Sequence, residues 1–434
     1  MKKLVSVSFS IVLTGLLLVS CKTTKQVDKT DIVLTNSSNF NLTDKAVSID
    51  RNSLSIQEEG VKKYPLLMVA SDTIPSQLVD ADDDGAWDEL FFVNNFSGQE
   101  TKNITLTWVD TAPQYVIRTS ARFGKRSSKT TPVQPALKEI LTRKELPKSL
   151  GYQQYQTDGP SWENDKVGFR HYLDGRNAKD LFGKTTSKMS PEDVGINDKG
   201  EVEDNYHVME SWGRDIMSVG NSVGLGGYAL ITDDELMRLG VTVNDSINNI
   251  EKTTFKIQTE GPVESILTYD YQNWSPNERT YSVKEKTSIW PGMYGYKNTV
   301  AVSGLQGDEN LAVGLVNINN DQPLNIWDEN SDYVVLYTHD KQTYNKEWWL
   351  GMAILLPKDK YIGYIEAPKK GNLTNTFLAK LKIEDSQPIS YYAVACWELS
   401  NPKFVDKAYF ENYIKQLTNQ LSAKIEVEIK NESF

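Results

Sequence analysis

Histidine is scarce in this 434-residue chain: His171, His207 and His339 are the whole supply. His207 sits in the densest run of polar and aromatic side chains, Tyr206-His207-Val-Met-Glu210-Ser-Trp212-Gly213-Arg214-Asp215. Its imidazole titrates where a general base is needed near neutral pH, although a lone histidine is more often structural than catalytic. A second run lies upstream, from Gly159 through Arg170-His171-Tyr172-Leu-Asp174-Gly-Arg176 to Asp180 and Lys184. On an extended strand, Arg170, Tyr172, Asp174 and Arg176 share one face at period two. Such a row reads either as the wet face of an antiparallel sheet or as a floor of cations and a phenol beneath an anionic sugar. Arginine suits the second use, because its planar fork takes a carboxylate or sulfate by paired hydrogen bonds.

A third run, Asp80-Ala-Asp82-Asp-Asp84-Gly85-Ala-Trp87-Asp88-Glu89-Leu90, matches the front half of a calcium loop, with Asp80, Asp82 and Asp84 as ligands. Phe91 stands where the bidentate glutamate belongs, and an Asp-rich hairpin turn bonding its own backbone fits equally well. The glycines at 220, 224, 226 and 227 lack the Lys-Ser/Thr of a phosphate loop and the context of a dinucleotide fingerprint. No Cys/His cluster, Gly-x-Ser-x-Gly elbow or His-Glu-x-x-His is present. The chemistry left is metal-free acid/base work that requires no cofactor, with calcium at most a structural ion.

The elements around these residues read mainly as strands. Ile104 to Trp108, Phe255 to Ile257 and Val263 to Tyr271 alternate, whereas Tyr333 to Leu336 and Tyr391 to Cys396 are near-continuous apolar runs. After Asn401-Pro402, apolar residues from Phe404 to Leu421 recur at three- and four-residue spacing and predict one helix, with a closing strand Ile425 to Ile429 behind it. A short helix is expected around Pro135 to Arg143. The expected fold is all-β, stacked antiparallel sheets with few helices and one near the C-terminus. The chain divides into a leader (1–20), a tether (21–30), an N-terminal β region (31–123), a connection (124–151) and a main β-sandwich carrying the site (152–434).

The leader has Lys2 and Lys3, then an apolar stretch from Leu4 to Leu18 that is too short to span a bilayer. Leu18-Val19-Ser20-Cys21 is a lipobox, so the expectation is an exported lipoprotein acylated on Cys21. Lys22 at the next position carries no inner-membrane retention signal, and no acidic run follows. The periplasmic face of an outer membrane is therefore favoured over the cell surface. With Cys21 acylated, Cys396 is the remaining thiol and no intrachain disulfide can form. The net charge of −11 argues against nucleic acid as a partner and requires any anionic glycan to be met by locally concentrated Arg and Lys. Aromatics are plentiful (13 Phe, 21 Tyr and 10 Trp), which suits both sugar stacking and β-sandwich cores.

Taken together, the loop from Gln77 to Leu90, the block from Gly159 to Lys184 and the block from Tyr206 to Gly227 resemble a family of exported proteins long described only as a domain of unknown function. The family occurs in polysaccharide-utilisation systems, and the resemblance covers nearly the whole mature chain. It implies a large β-sandwich of the galactose-mutarotase-like, super-sandwich type. It also implies an oligosaccharide dehydratase acting on ulvan fragments. Such an enzyme removes water from a non-reducing-end glucuronic or iduronic acid beside 3-sulfated rhamnose and leaves a 4,5-unsaturated uronyl end. On that chemistry His207 is the expected base and Tyr172 the acid, or base and acid in turn. Arg170 or Arg176 would neutralise the uronate. Lys184 would hold the sulfate, His171 and Asp215 would orient the pair, and Arg214 would also contact substrate. An endo-acting polysaccharide lyase and a non-catalytic glycan-binding lipoprotein are the competing readings. The membrane is a partner through the lipid alone. Replacing Cys21 by Ser is expected to move the protein from the membrane fraction to the soluble fraction, or to leave it unprocessed; unchanged membrane recovery would overturn the lipoprotein reading.

Overall fold

The structure is a computed structural model that describes residues 29–54, 64–146, 150–233 and 235–430. Cys21 and the lipobox lie outside the described residues, and no described helix is long and apolar enough to cross a membrane. The chain is mainly β, built on a nine-stranded antiparallel sheet running from Lys138–Thr142 at one edge to Asn325–Trp327 at the other. Both faces of that sheet are covered. Phe255, Tyr269, Tyr271, Val283, Tyr296 and Tyr391 on one face pack against two five-stranded sheets. Val335, Ala353, Leu355, Val394 and Cys396 on the other lie beneath the helix Lys407–Ser422 and a three-stranded sheet. Double coverage explains why Tyr333–Asp340 and Ile389–Trp397 read as near-continuous apolar runs rather than alternating ones.

The three-stranded sheet (Leu42–Asp50, Glu89–Phe96, Ser76–Val79) also backs onto a five-stranded sheet through a separate core that includes Ile32, Leu34, Phe92 and Leu106. The closing strand Ile425–Lys430 pairs there with the first strand Lys29–Asn36, Ile32 opposite Ile429. The last residues therefore belong with the N-terminal region, not with the main sandwich. Thr119–Arg122, placed by sequence in the N-terminal region, instead forms the edge of the sheet that carries the candidate site.

The expected helix near the C-terminus is present. Asp406 caps it by accepting from the amides of Ala408 and Tyr409, and Phe410, Ile414 and Leu417 face inward. Phe410 lies against Gly351, where a Cβ would come within 2.5 Å of the ring. The expected helix around Pro135 to Arg143 is absent. Lys138–Thr142 is a strand, paired with Ile250–Glu260 in the register Lys138 to Lys256. The open edge of the large sheet supplies these residues with hydrogen-bond partners, and Leu141 turns inward while Ile140 stays exposed. Phe410→Ala is expected to lower stability by about 3–5 kcal/mol, measured by urea unfolding, because the rigid sheet beneath cannot collapse into the space.

Candidate functional site

The candidate site stands on the five-stranded sheet ordered Gly213–Asp215, Lys179–Lys184, Val167–His171, Ser161–Asn164 and Thr119–Arg122. Register places Arg170 opposite Asp180, and Asp215 opposite Phe182, two residues farther along the same strand. Arg170, Asp180 and Asp215 thus share a face, and all three side chains are 0% exposed. Arg170 Nη2 donates to Asp215 Oδ2 (2.7 Å), to Tyr172 Oη (2.6 Å) and to Asp180 Oδ2, while Nη1 donates to the Thr157 carbonyl (3.2 Å). Tyr172 donates its phenol proton to Asp180 Oδ2 (2.9 Å). Burial pushes this phenol far above its ordinary range, so it stays protonated.

His207 closes the cluster toward solvent. It ends the 3-10 turn Asn205–His207, and its side chain remains 42% exposed with Nδ1 3.5 Å from Asp215 Oδ2. Nδ1 is the nitrogen turned to that carboxyl group, and the tautomer protonated there leaves Nε2 free to accept. Partial burial, followed by the Arg170 charge, holds the imidazole below its usual range and therefore neutral at pH 7. Burial and the adjacent Asp180 push the Asp215 carboxyl upward. The His207 ring lies 4.7 Å from Tyr206 and 5.6 Å, edge-on, from Tyr344.

Tyr344 is the residue the sequence reading missed. It is half-buried in the turn Tyr344–Lys346, pinned by its amide to the Ile216 carbonyl next to Asp215 (3.1 Å). Burial, reinforced by Asp215 and Asp180, keeps its phenol protonated. Asn345 (φ 56°) and Lys346 (φ 55°) follow in the left-handed region, and Thr157 (φ 49°) and Asp158 (φ 60°) flank Arg170 from below. Consecutive non-glycine residues of this kind are a backbone signal of an over-determined site, one that linear sequence does not display.

The remaining expected residues separate. The strand ends at His171, so Asp174 and Arg176 lie in a turn and not on the Arg170 face of a continued strand. Arg176 nevertheless folds back over the Tyr172 ring, 3.7 Å from its centroid, held by Asp174 (2.8 Å). Arg214 is partly exposed, 3.5 Å from Glu347 and 5.3 Å from the centre of the Trp348 ring. Three expectations need correction. Arg170 cannot receive a substrate carboxylate, because it is buried and already bonded to two. His171, next to it on the pleat, points to the opposite face between Lys179 Nζ and Tyr271 Oη (each 3.5 Å), inside the sandwich. Lys184 is buried beyond Phe182 and bonded to Glu163 and to the Asn164 carbonyl (2.7 Å), so it offers no free ammonium to a sulfate.

The acidic loop lies elsewhere. Oxygens of Asp80, Asp82 and Asp88 come within 4.8 Å of one another and could hold a cation, with Asp88 in the place expected for Asp84. Asp80 accepts from the amides of Asp83 (2.7 Å), Asp84 (3.2 Å) and Gly85 (2.9 Å), the self-bonded turn of the alternative reading. Asp84 instead accepts from the Ala86 amide (2.7 Å).

Residues 34–427 match the profile of the family described as domain of unknown function DUF4861. A relative named uncharacterized protein P7, from Formosa agariphila, is 25% identical over 420 residues, 92% of this chain and 93% of that protein. Among solved structures, a glycosyl hydrolase family 38 protein from Enterococcus faecalis aligns with TM-score 0.48 and 9% identity, covering 94% of this chain and 48% of that one. An alpha-mannosidase from Enterococcus faecalis gives TM-score 0.48 and 8% identity over 94% and 46%. The chain spans about half the length of those two structures.

Asp80→Ala is expected to cost about 1–2 kcal/mol of stability by freeing three backbone amides, with turnover unchanged because the loop is not among the groups around His207. Adding EDTA to the unsubstituted protein gives the ion its own readout: a Tm that falls and recovers with calcium would identify a loaded site, and an unmoved Tm would exclude one.

Proposed function

The chain belongs to the DUF4861 family, and we propose that it is a carbon–oxygen lyase, an oligosaccharide dehydratase working on uronic-acid-terminated fragments of an ulvan-type polysaccharide. The observation that carries this reading is the exposed His207 imidazole held through Nδ1 against buried Asp215, with Nε2 left open. A uronate C5 proton is weakly acidic because its carboxylate resists a second negative charge. A nearby cation relieves that resistance. Arg176 and Arg214 are the partly exposed arginines beside the cluster and take this role in place of buried Arg170.

In the reaction, His207 Nε2 takes the C5 proton and the C–H electron pair becomes the C4–C5 double bond. The C4–O bond breaks, and the departing hydroxyl leaves as water with a proton from a phenol. Tyr344 suits the donor's part better than Tyr172, since it is half-buried beside His207 while Tyr172 already donates to Asp180. Solvent then reprotonates the phenol and the imidazole gives up its proton. The net change is loss of one water. We further propose that this activity is tethered by lipid on Cys21 at the periplasmic face of an outer membrane, where oligosaccharides arrive already cut.

Purified protein incubated with saturated uronyl-terminated oligosaccharides is expected to yield products lighter by one water, with new ultraviolet absorbance from the conjugated carboxylate. Shortened chains would assign an endo-acting lyase instead, and unchanged substrate would remove the lyase reading. His207→Ala and Tyr344→Phe are each expected to lower kcat by about two to four orders of magnitude with Tm unchanged. Tyr172→Phe is expected to be the milder change. Because the base works unprotonated and its pKa lies below the usual histidine value, kcat/KM should fall only at acid pH, below about 6.5, and that limb should vanish in His207→Ala.

A further inference from the structure

A cavity of about 280 Å³ lies away from His207. It lies where the strands Leu42–Asp50 and Glu89–Phe96 and the end of the helix Lys407–Ser422 meet the outer face of the nine-stranded sheet. Its wall is unusual in composition. Lys45 and Lys297 present ammonium groups, Glu89 and Glu264 present carboxyls, and Trp290 and Tyr392 present rings set nearly perpendicular, 6.2 Å apart. Lys45 Nζ donates to the Gln420 carbonyl (2.8 Å), and among the described residues no carboxylate lies within ion-pairing distance of Lys45 or Lys297. Ser48 bonds Glu89, while among the described residues no group hydrogen-bonds the Glu264 side chain.

Ionisable groups set apart around a void carry an uncompensated desolvation cost. Burial pushes Glu264 up to about 8, with Glu89 adding to the rise, and it pulls Lys45 down to about 8. Burial lowers Lys297 as well, with Glu264 opposing the fall and the neighbouring Lys286 adding to it. At neutral pH Glu264 is thus mostly a neutral acid, and neither ammonium has an ion-pair partner among the described residues. At about 30 Å³ per liquid water the cavity has the volume of several waters, and so has room for a pyranose rather than a bare ion. Ring faces for sugar C–H groups, hydroxyl partners at Ser48 and Ser288 and two ammoniums without ion-pair partners among the described residues meet there.

We propose that this cavity is a binding site for an anionic monosaccharide unit, a uronate or sulfated pyranose, separate from the His207 cluster. Lys45 and Lys297 take the charge, and Trp290 with Tyr392 forms the apolar wall. The proposal does not depend on the lyase reading. It is tested by calorimetric titration of the full chain with sodium glucuronate, with glucose and sodium sulfate as controls. Glucuronate is expected to bind one to one and more tightly than either control. Lys297→Met and the cavity-filling Ser288→Leu should each weaken binding at least about tenfold, the loss of one charge-assisted hydrogen bond or of the space itself, while His207→Ala leaves it unchanged. Lys45→Gln serves if Lys297→Met lowers Tm. No heat with glucuronate, equal affinity for either control, or a loss confined to His207→Ala would each overturn the proposal.

Discussion

The buried guanidinium of Arg170 is the interaction on which the candidate site depends. A wholly desolvated cation is tolerated only if its charge and its donors are met, and here the partners come from separate segments. Asp180 lies across the pleat, Asp215 one strand farther, Tyr172 just past the strand end, and the Thr157 carbonyl in the strained loop below. Removing the cation would leave two carboxylates face to face in the dark. The cost of breaking such a buried set is about 3–5 kcal/mol, more than most core contacts. A sheet face this polar would ordinarily be wet. It is closed over instead, and closure makes the strands hold one register.

That arrangement also sets the behaviour of the groups above it. Asp215 reaches from the buried set to within 3.5 Å of the His207 imidazole, while partial burial and the charge on Arg170 keep the ring neutral. On the proposed elimination, a neutral imidazole of lowered basicity is available near neutral pH, and the burden falls on neutralising the substrate carboxylate rather than on base strength. Tyr344 is held to the same strand end through the Ile216 carbonyl, and the left-handed residues after it turn the chain away from the site. Base and phenol thus ride on short loops whose anchor points are rigid, a common division between scaffold and chemistry.

Much of this was legible in the sequence because it is local. The spacing from Phe404 to Leu421 specified the helix, and the crowding of Arg170, Tyr172, His207 and Asp215 into two short runs marked the cluster. What escaped was set by pairing between distant segments. Sequence periodicity assumed that a strand continued through Arg176, yet Gly175 at φ 99° belongs to a turn, and Arg176 reaches Tyr172 by folding back. His171 and Lys184 looked like ligands because their types are suitable. One points to the opposite face, and the other has Glu163 as a buried partner. Lys138–Thr142 has helix-compatible residues but lies on an unpaired sheet edge, whose hydrogen-bonding demand overrides local preference. Tyr344 carried no signal beyond an aromatic run, Tyr344 to Trp349, far along the chain from His207.

The same buried set bears on which reaction class the cluster can perform. Hydrolysis of a glycosidic bond by the usual route needs two carboxyl groups flanking the sugar, about 5–5.5 Å apart for retention or about 6.5–9.5 Å for inversion. Asp180 and Asp215, the two carboxyl groups of the buried set, both bond the same Nη2 of Arg170 and have no exposed surface. Neither can reach a glycosidic oxygen or an anomeric carbon, and moving either out would strand the guanidinium. The partly exposed groups proposed to meet a sugar are an imidazole, a phenol and two arginines. That set has no nucleophile matched to an oxocarbenium-like centre, but it has a base, an acid and carboxylate-binding cations. Those are the three needs of removing a proton next to a uronate and expelling the neighbouring hydroxyl. Elimination fits the chemistry proposed for these groups, and hydrolysis by the Asp180–Asp215 pair does not.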